Sequence, residues 1–209
     1  MSAKARHRHS ADTHTPTESH TPHALKLRIA LPVILAIGLS ACASAPAPRP
    51  QTNTPTPVAR HAIANLAAAS GTLVSGRLTL ATAPGGVRIR GDIGGLSPGS
   101  LHGFHVHEKG DCSSVDASSA GGHFNPEGKP HGRAGQGPHH AGDADNLVAD
   151  ASGVAHLNAW LPGAALGDGS PHDLSGRAII VHAGADDYAS QPSGNAGARV
   201  ACGVIRLLP

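Results

Sequence analysis

Residues 74–93, VSGRLTLATAPGGVRIRGDI, decide the fold. Val74, Leu78 and Leu80 alternate with Ser75, Arg77 and Thr79, and Val87, Ile89 and Ile93 alternate with Arg88, Arg90 and Asp92. Successive side chains of a strand point to opposite faces, so each run reads as a strand with one buried and one wet face. Pro84-Gly85-Gly86 between them supplies turn chemistry, as Ser97-Pro98-Gly99 does after them. Further strand candidates are His102–His107, Ala155–Leu161, Arg177–His182 and Val200–Leu207, and no segment sustains a helical period. The expected architecture is all-β, a flattened Greek-key barrel or sandwich of about eight antiparallel strands. Two long loops, Glu108–Leu147 and Asp186–Gly197, interrupt it. Loops of such length in a compact domain are usually functional.

Composition agrees with many short strands: the 209 residues include 27 Gly and 17 Pro but only four aromatics, Phe104, Phe124, Trp160 and Tyr188. Charge is uneven. Residues 1–60 carry seven Lys/Arg against two acids, and residues 61–209 carry nine against twelve. The domain is therefore mildly acidic and poor in stacking side chains, which argues against nucleic acid as a partner.

The basic excess belongs to an export signal. Ala30 to Leu39, ALPVILAIGL, is a ten-residue apolar run preceded by Lys26 and Arg28. It is too short to span a bilayer and fits a signal-peptide core. It ends in Leu39-Ser40-Ala41-Cys42, which resembles a bacterial lipobox, so residues 1–41 are expected to be removed and Cys42 lipidated. The long leader holds His7, His9, His14, His20 and His23, which cleavage would discard; a start near Leu25 or Leu27 would leave a signal of ordinary length. Residues 42–60, rich in Pro, Ala and Thr, read as a tether, leaving 61–209 as the domain. Ala43 stands where an aspartate would suggest inner-membrane retention. The expected location is therefore the periplasmic side of the outer membrane, with a soluble periplasmic protein as the alternative.

With Cys42 assigned to lipid, Cys112 and Cys202 remain. An exported pair is expected to be oxidised, joining a long loop to the last strand; two reduced core cysteines are the alternative.

Seven residues at ordered spacings point to metal: His105, His107, His123, His131, His140, Asp143 and His182. His105 and His107 share one face of a strand, and Gly142 is expected to permit the turn that returns Asp143 to His140. Eleven of the sixteen histidines lie in the domain, so some proximity is accidental. His61, His102, His139, His156 and His172 are expected to be structural or solvated.

The motifs around these residues resemble those of copper,zinc superoxide dismutases. Gly103-Phe104-His105-Val106-His107-Glu108 and Gly122-His123-Phe124-Asn125-Pro126 are similar to family signatures. So are Gly194-Asn195-Ala196-Gly197-Ala198-Arg199 and Ala201-Cys202-Gly203-Val204-Ile205. The resemblance covers most of residues 70–206.

It implies copper on His105, His107, His123 and His182, and zinc on His123, His131, His140 and Asp143, with His123 bridging the two. Four imidazoles suit Cu(II), and three with a carboxylate suit zinc. It implies that Asp186 links the two sites, with Asp187 as the neighbouring alternative, and that Arg199 guides the anion. The implied reaction is dismutation of superoxide in the cell envelope, with contact to membrane only through lipid at Cys42. A homodimer is left open, and a metal-buffering protein on the same frame is the rival reading. One departure stands out: residues 186–197, DDYASQPSGNAG, hold no lysine and no glutamate. Lys129 or Arg133 is then expected to supply guidance from the other loop.

Overall fold

A computed structural model describes residues 60–209; the expected signal, Cys42 and most of the tether lie outside the described residues. The strands are β1 (His61–Ala68), β2 (Ser75–Ala83), β3 (Gly86–Gly94), β4 (Leu101–His102), β5 (Phe104–His107), β6 (Leu147–Val148), β7 (Ala155–Pro162), β8 (Ala178–His182), β9 (Arg199–Val204) and β10 (Arg206–Leu207). Among the described residues the only helical piece is a 3₁₀ turn, Ser118–Ala120. One curled antiparallel sheet runs β5-β8-β9-β1-β2-β3-β7, with β10 on β1, while β4 and β6 form a separate pair.

The alternation seen in residues 74–93 becomes the hairpin β2–β3. Leu80 faces Ile89 across the ladder, and Leu78 faces Gly91. Gly91 adopts φ +147°, and a Cβ there would lie 2.2 Å from the Arg77 carbonyl, so the inward position opposite Leu78 must be glycine. Leu78, Leu80, Val87, Ile89 and Ile93 join Phe104, Val106, Leu161, Ile179 and Val181 in the main core. Each such burial contributes roughly 1.5–3 kcal/mol.

His102–His107, expected as one strand, divides at Gly103. A Cβ on Gly103 would stand 2.8 Å from that of Ala196, which shows how closely the β8–β9 loop crosses the chain here. Residues 200–207 likewise divide between β9 and β10. β1 carries no long alternating apolar run, because its inward positions are Ala62, Ala64 and Leu66. Small inward residues weaken the periodic signal without weakening the pairing.

β5 and β8 are buried on both faces. Phe104, Val106, Ile179 and Val181 point to the main core. Ala178 and Ile180 point the other way, into a second cluster with Ala69, Ala117, Ala120, Cys202 and Cys112. That cluster surrounds a disulfide between Cys112 and Cys202, whose Cα atoms are 5.8 Å apart. Cys112 and Cys202 are thus oxidised rather than two reduced core cysteines.

Candidate metal centre

The outer edge of β5 is where the site is built. The Val106 N–H donates to Gly142 O, Phe124 N–H to Val106 O, and Gly142 N–H to Phe124 O. These bonds lay residues 122–124 and 141–143 along β5, bridging His107 to His123 and His105 to Asp143. Gly142 is required for a reason other than a turn. Among the described residues it is not one of the positive-φ glycines; instead, a Cβ would sit 2.2 Å from the Val106 carbonyl. On the other side, β5 pairs with β8, opposing His105 to Ile180 and placing His182 at the strand end. A bulge between Val181 and His182 alters the register there.

All seven proposed ligands are buried. They form two groups, His105/His107/His123/His182 and His123/His131/His140/Asp143, each with ligand atoms within 4.8 Å of one another. His123 belongs to both.

Hydrogen bonds on one ring nitrogen decide which lone pair is free on the other. His105 Nε2 bonds Asp186 Oδ2 at 2.8 Å, His107 Nδ1 donates to Gly121 O at 2.9 Å, and His182 Nδ1 donates to Gly197 O at 3.1 Å. The opposite atoms, His105 Nδ1, His107 Nε2 and His182 Nε2, are buried without a hydrogen-bond partner, as is His123 Nε2. Four buried acceptors converging without a donor would be costly in an apolar interior, and they suit a soft or borderline cation.

In the second group the other face of His123 contributes. Nδ1 of His123 lies 2.8 Å from Asp143 Oδ1 and 3.4 Å from His140 Nδ1. His140 Nδ1 is 3.3 Å from Asp143 Oδ1, and His131 Nδ1 is 3.0 Å from Asp143 Oδ2 without a hydrogen-bonding angle. Four ligands bound tetrahedrally to zinc at about 2.0–2.1 Å stand about 3.3 Å apart. The observed separations fit that spacing. Backbone N–H groups of His140 and Gly132 donate to Asp143 Oδ2 at 2.8 and 3.2 Å, which fixes the carboxylate.

The electrostatics divide the two groups. Burial, followed by the charge of His123, pushes His107 down to about 2; burial and His105 push His182 down to about 3. Burial outweighs the Asp143 hydrogen bond and lowers His123 to about 4. These rings are therefore neutral donors at ordinary pH. For His131 burial is outweighed by contacts with Asp143 and Asp186, which raise it to about 9. Burial also opposes ionisation of Asp143, but the His123 hydrogen bond, the close His131 and His140 rings and the His140 backbone N–H hold it well below the carboxylate range.

Asp186 is buried, and its two oxygens reach both groups: Oδ2 to His105, and Oδ1 to His131 Nε2 at 3.0 Å. Neighbouring Asp187 is exposed and bonds the hydroxyl and backbone of Ser190. Arg199 pairs with His182 across β8–β9, and its guanidinium donates to Ala117 O and Gly121 O, both at 2.6 Å. With His107, His123, His182, Pro192 and Ser193 it lines a cavity of about 400 Å³. Lys129 and Arg133 are not among the cavity's lining residues; they pair with Glu127 and Asp145. Each charge is thus partly neutralised locally.

Of the five histidines left aside, His102 is buried, bonding His182 O and Ser100 Oγ, and His156 lies exposed between Asp92 and Asp150. None of the five joins either ligand group. Sequence reading missed Gln191, whose side chain bonds the backbone of His131, and Asn146, which bonds the backbone of Asp186. Both act across loops, and no local spacing betrays such contacts.

Comparison with known proteins gives concordant results. The family described as Copper/zinc superoxide dismutase (SODC) matches residues 74–205. Superoxide dismutase [Cu-Zn] 2 of Aquifex aeolicus is 42% identical over 136 residues, covering 64% of this chain and 80% of that protein. Superoxide dismutase [Cu-Zn] of Caulobacter vibrioides is 42% identical over 137 residues, covering 63% and 78%. A crystal structure of a SOD-like protein from Bacillus subtilis superposes with a TM-score of 0.62 at 39% identity, over 68% of this chain and 95% of that one. With the family match extending over more than half its length, from the β2 hairpin to the end of β9, this chain belongs to the copper/zinc superoxide dismutase family.

Proposed function

We propose that this chain converts two superoxide anions and two protons to dioxygen and hydrogen peroxide. The observation that carries the proposal is His123, which presents one ring nitrogen to each of two complete four-ligand groups. Copper held by His105, His107, His123 and His182 would supply reversible one-electron transfer, and zinc held by His123, His131, His140 and Asp143 a fixed charge. His123 Nε2, buried without another partner, can hold a proton while Nδ1 remains on the Asp143 side. Arg199 supplies a cation in the cavity wall, and its two carbonyl bonds keep that charge in one place for a small anion. Asp186 orients His105 and His131 together.

A metal-buffering protein would need the ligands but no fixed cation in the cavity, so Arg199 favours the enzyme. The export signal and lipobox support a mature protein anchored through lipid at Cys42 to the periplasmic side of the outer membrane, where it would protect the envelope from superoxide. A soluble periplasmic protein is the alternative, and sedimentation of the mature chain decides between monomer and homodimer.

The test is metal analysis coupled to a superoxide dismutation assay on the exported, disulfide-bonded protein. One copper and one zinc per chain with high activity is expected. Full loading of both metals with no activity would overturn the enzyme reading.

A further inference from the structure

Gln191 lies in the loop between β8 and β9, sixty residues from His131. Its side-chain amide closes on the backbone of that histidine. Oε1 accepts the His131 N–H at 2.8 Å, and Nε2 donates to the His131 carbonyl at 2.9 Å. An amide matches this donor–acceptor pair as a neighbouring strand would. Nε2 also donates to Ala189 O at 3.2 Å, which limits rotation of the amide.

His131 sits outside any strand, between Pro130 and Gly132, so no sheet ladder holds it. Among the described residues, both of its backbone hydrogen bonds run to Gln191. The same loop also holds its ring, because Asp186 Oδ1 bonds Nε2 at 3.0 Å. Gly194 makes room for that bond: with φ +69°, its Cβ would fall 1.8 Å from Asp186 Oδ1 and 2.7 Å from His131 Nε2. One loop therefore grips His131 at the backbone and at the ring. The residues directly after Gln191, Pro192 and Ser193, line the cavity beside His107, His123, His182 and Arg199.

We infer that Gln191 is a positioning residue that aims His131 Nδ1 at the second ligand group and ties the Pro192–Ser193 wall of the cavity to that group. The inference rests on the assignment of zinc to His123, His131, His140 and Asp143. Gln191 touches neither a metal ligand atom nor the substrate cavity; it acts through the His131 backbone.

The experiment compares Gln191→Ala and Gln191→Glu with the unaltered protein, each full-length, exported and oxidised. The alanine loses both bonds, whereas the glutamate keeps an acceptor for the His131 N–H and loses the donor to its carbonyl. Zinc affinity is measured by competition with a chelator, and cobalt(II) replaces zinc as a visible-absorption probe of ligand geometry. Amide hydrogen exchange at His131 is read without metal. The alanine variant is expected to lose about 10-fold in zinc affinity, the lower end for groups that orient ligands from behind. Its cobalt bands should shift and its His131 amide should exchange faster, with the glutamate variant between. Unaltered affinity, cobalt spectrum and exchange in the alanine variant would overturn the inference. An unaltered protein that binds no zinc would instead refute the metal assignment, and exchange at the His131 amide would still decide whether the clamp exists.

Discussion

Asp186 Oδ2 lies 2.8 Å from Nε2 of His105, with both side chains fully buried. Since the other Asp186 oxygen bonds His131, one carboxylate fixes a ring in each ligand group. Asp186→Asn at once removes the charge that supports both rings and substitutes a donor for one acceptor. Metal affinity should fall about 10- to 100-fold, the range for groups behind metal ligands. Competition titrations with zinc and copper separately check this, and an effect confined to one metal would contradict a shared role.

His123 and Asp143 should differ in the reach of their effects. His123→Ala removes a ligand from both groups, so both metals should be lost or weakly held. Asp143→Ala removes one from the second group only, and should chiefly lower zinc. Metal content of the two purified variants provides the comparison.

Arg199→Ala should lower kcat/KM by about 10-fold or more, within the range that electrostatic steering supplies. Arg199→Lys should recover only part, because an ammonium cannot reproduce the fork that engages Ala117 O and Gly121 O together. Steady-state kinetics at two ionic strengths test both variants. Equal salt dependence in all three proteins would place the guiding charge elsewhere.

The metal-free protein should show a stability optimum near neutral pH. His107, His123 and His182 have folded pKa values of about 2, 4 and 3, below the ordinary 6.5. The unfolded chain therefore takes up more protons below pH 6.5, and stability falls as the pH drops toward these values. His131 has the opposite sign: raised to about 9, it contributes fully below 6.5 and loses that contribution as the pH rises through 9. Urea unfolding with chelator present, followed from pH 4 to 9.5, checks both limbs; a flat profile would contradict them.

Reduction of Cys112–Cys202, or a Cys112→Ser/Cys202→Ser change, should cost about 2–5 kcal/mol. The bridge closes 90 positions and packs with Ala117, whose carbonyl holds Arg199. Denaturant unfolding should show the loss of stability, and activity should fall with it as the Arg199 support loosens.

Much of the site was legible because metal ligands are chemically conspicuous and several lie on a strand, where spacing fixes direction. His105 and His107 are two apart on β5, so their shared face could be read before any contact was known. The β2–β3 hairpin was equally plain from its alternation and its Pro-Gly-Gly turn. β1 was not, since alanines at its inward positions give little hydrophobic contrast. Lys129 and Arg133 looked available for guidance by charge alone. Their partners, Glu127 and Asp145, lie two and twelve residues away, and only side-chain direction shows that they pair.

By itself, then, the sequence determined the strand periodicity, the seven side chains proposed as metal ligands and the family motifs around them. Those depend on residue chemistry and on short spacings along the chain. Only the tertiary structure decided which ring nitrogen of His105, His107, His123, His131 and His182 is free, that Gly142 serves a close backbone approach, and that Gln191 and Asp186 grip His131 from another loop. Each of these depends on groups brought together from distant positions, where a few tenths of an ångström separate a hydrogen bond from a clash.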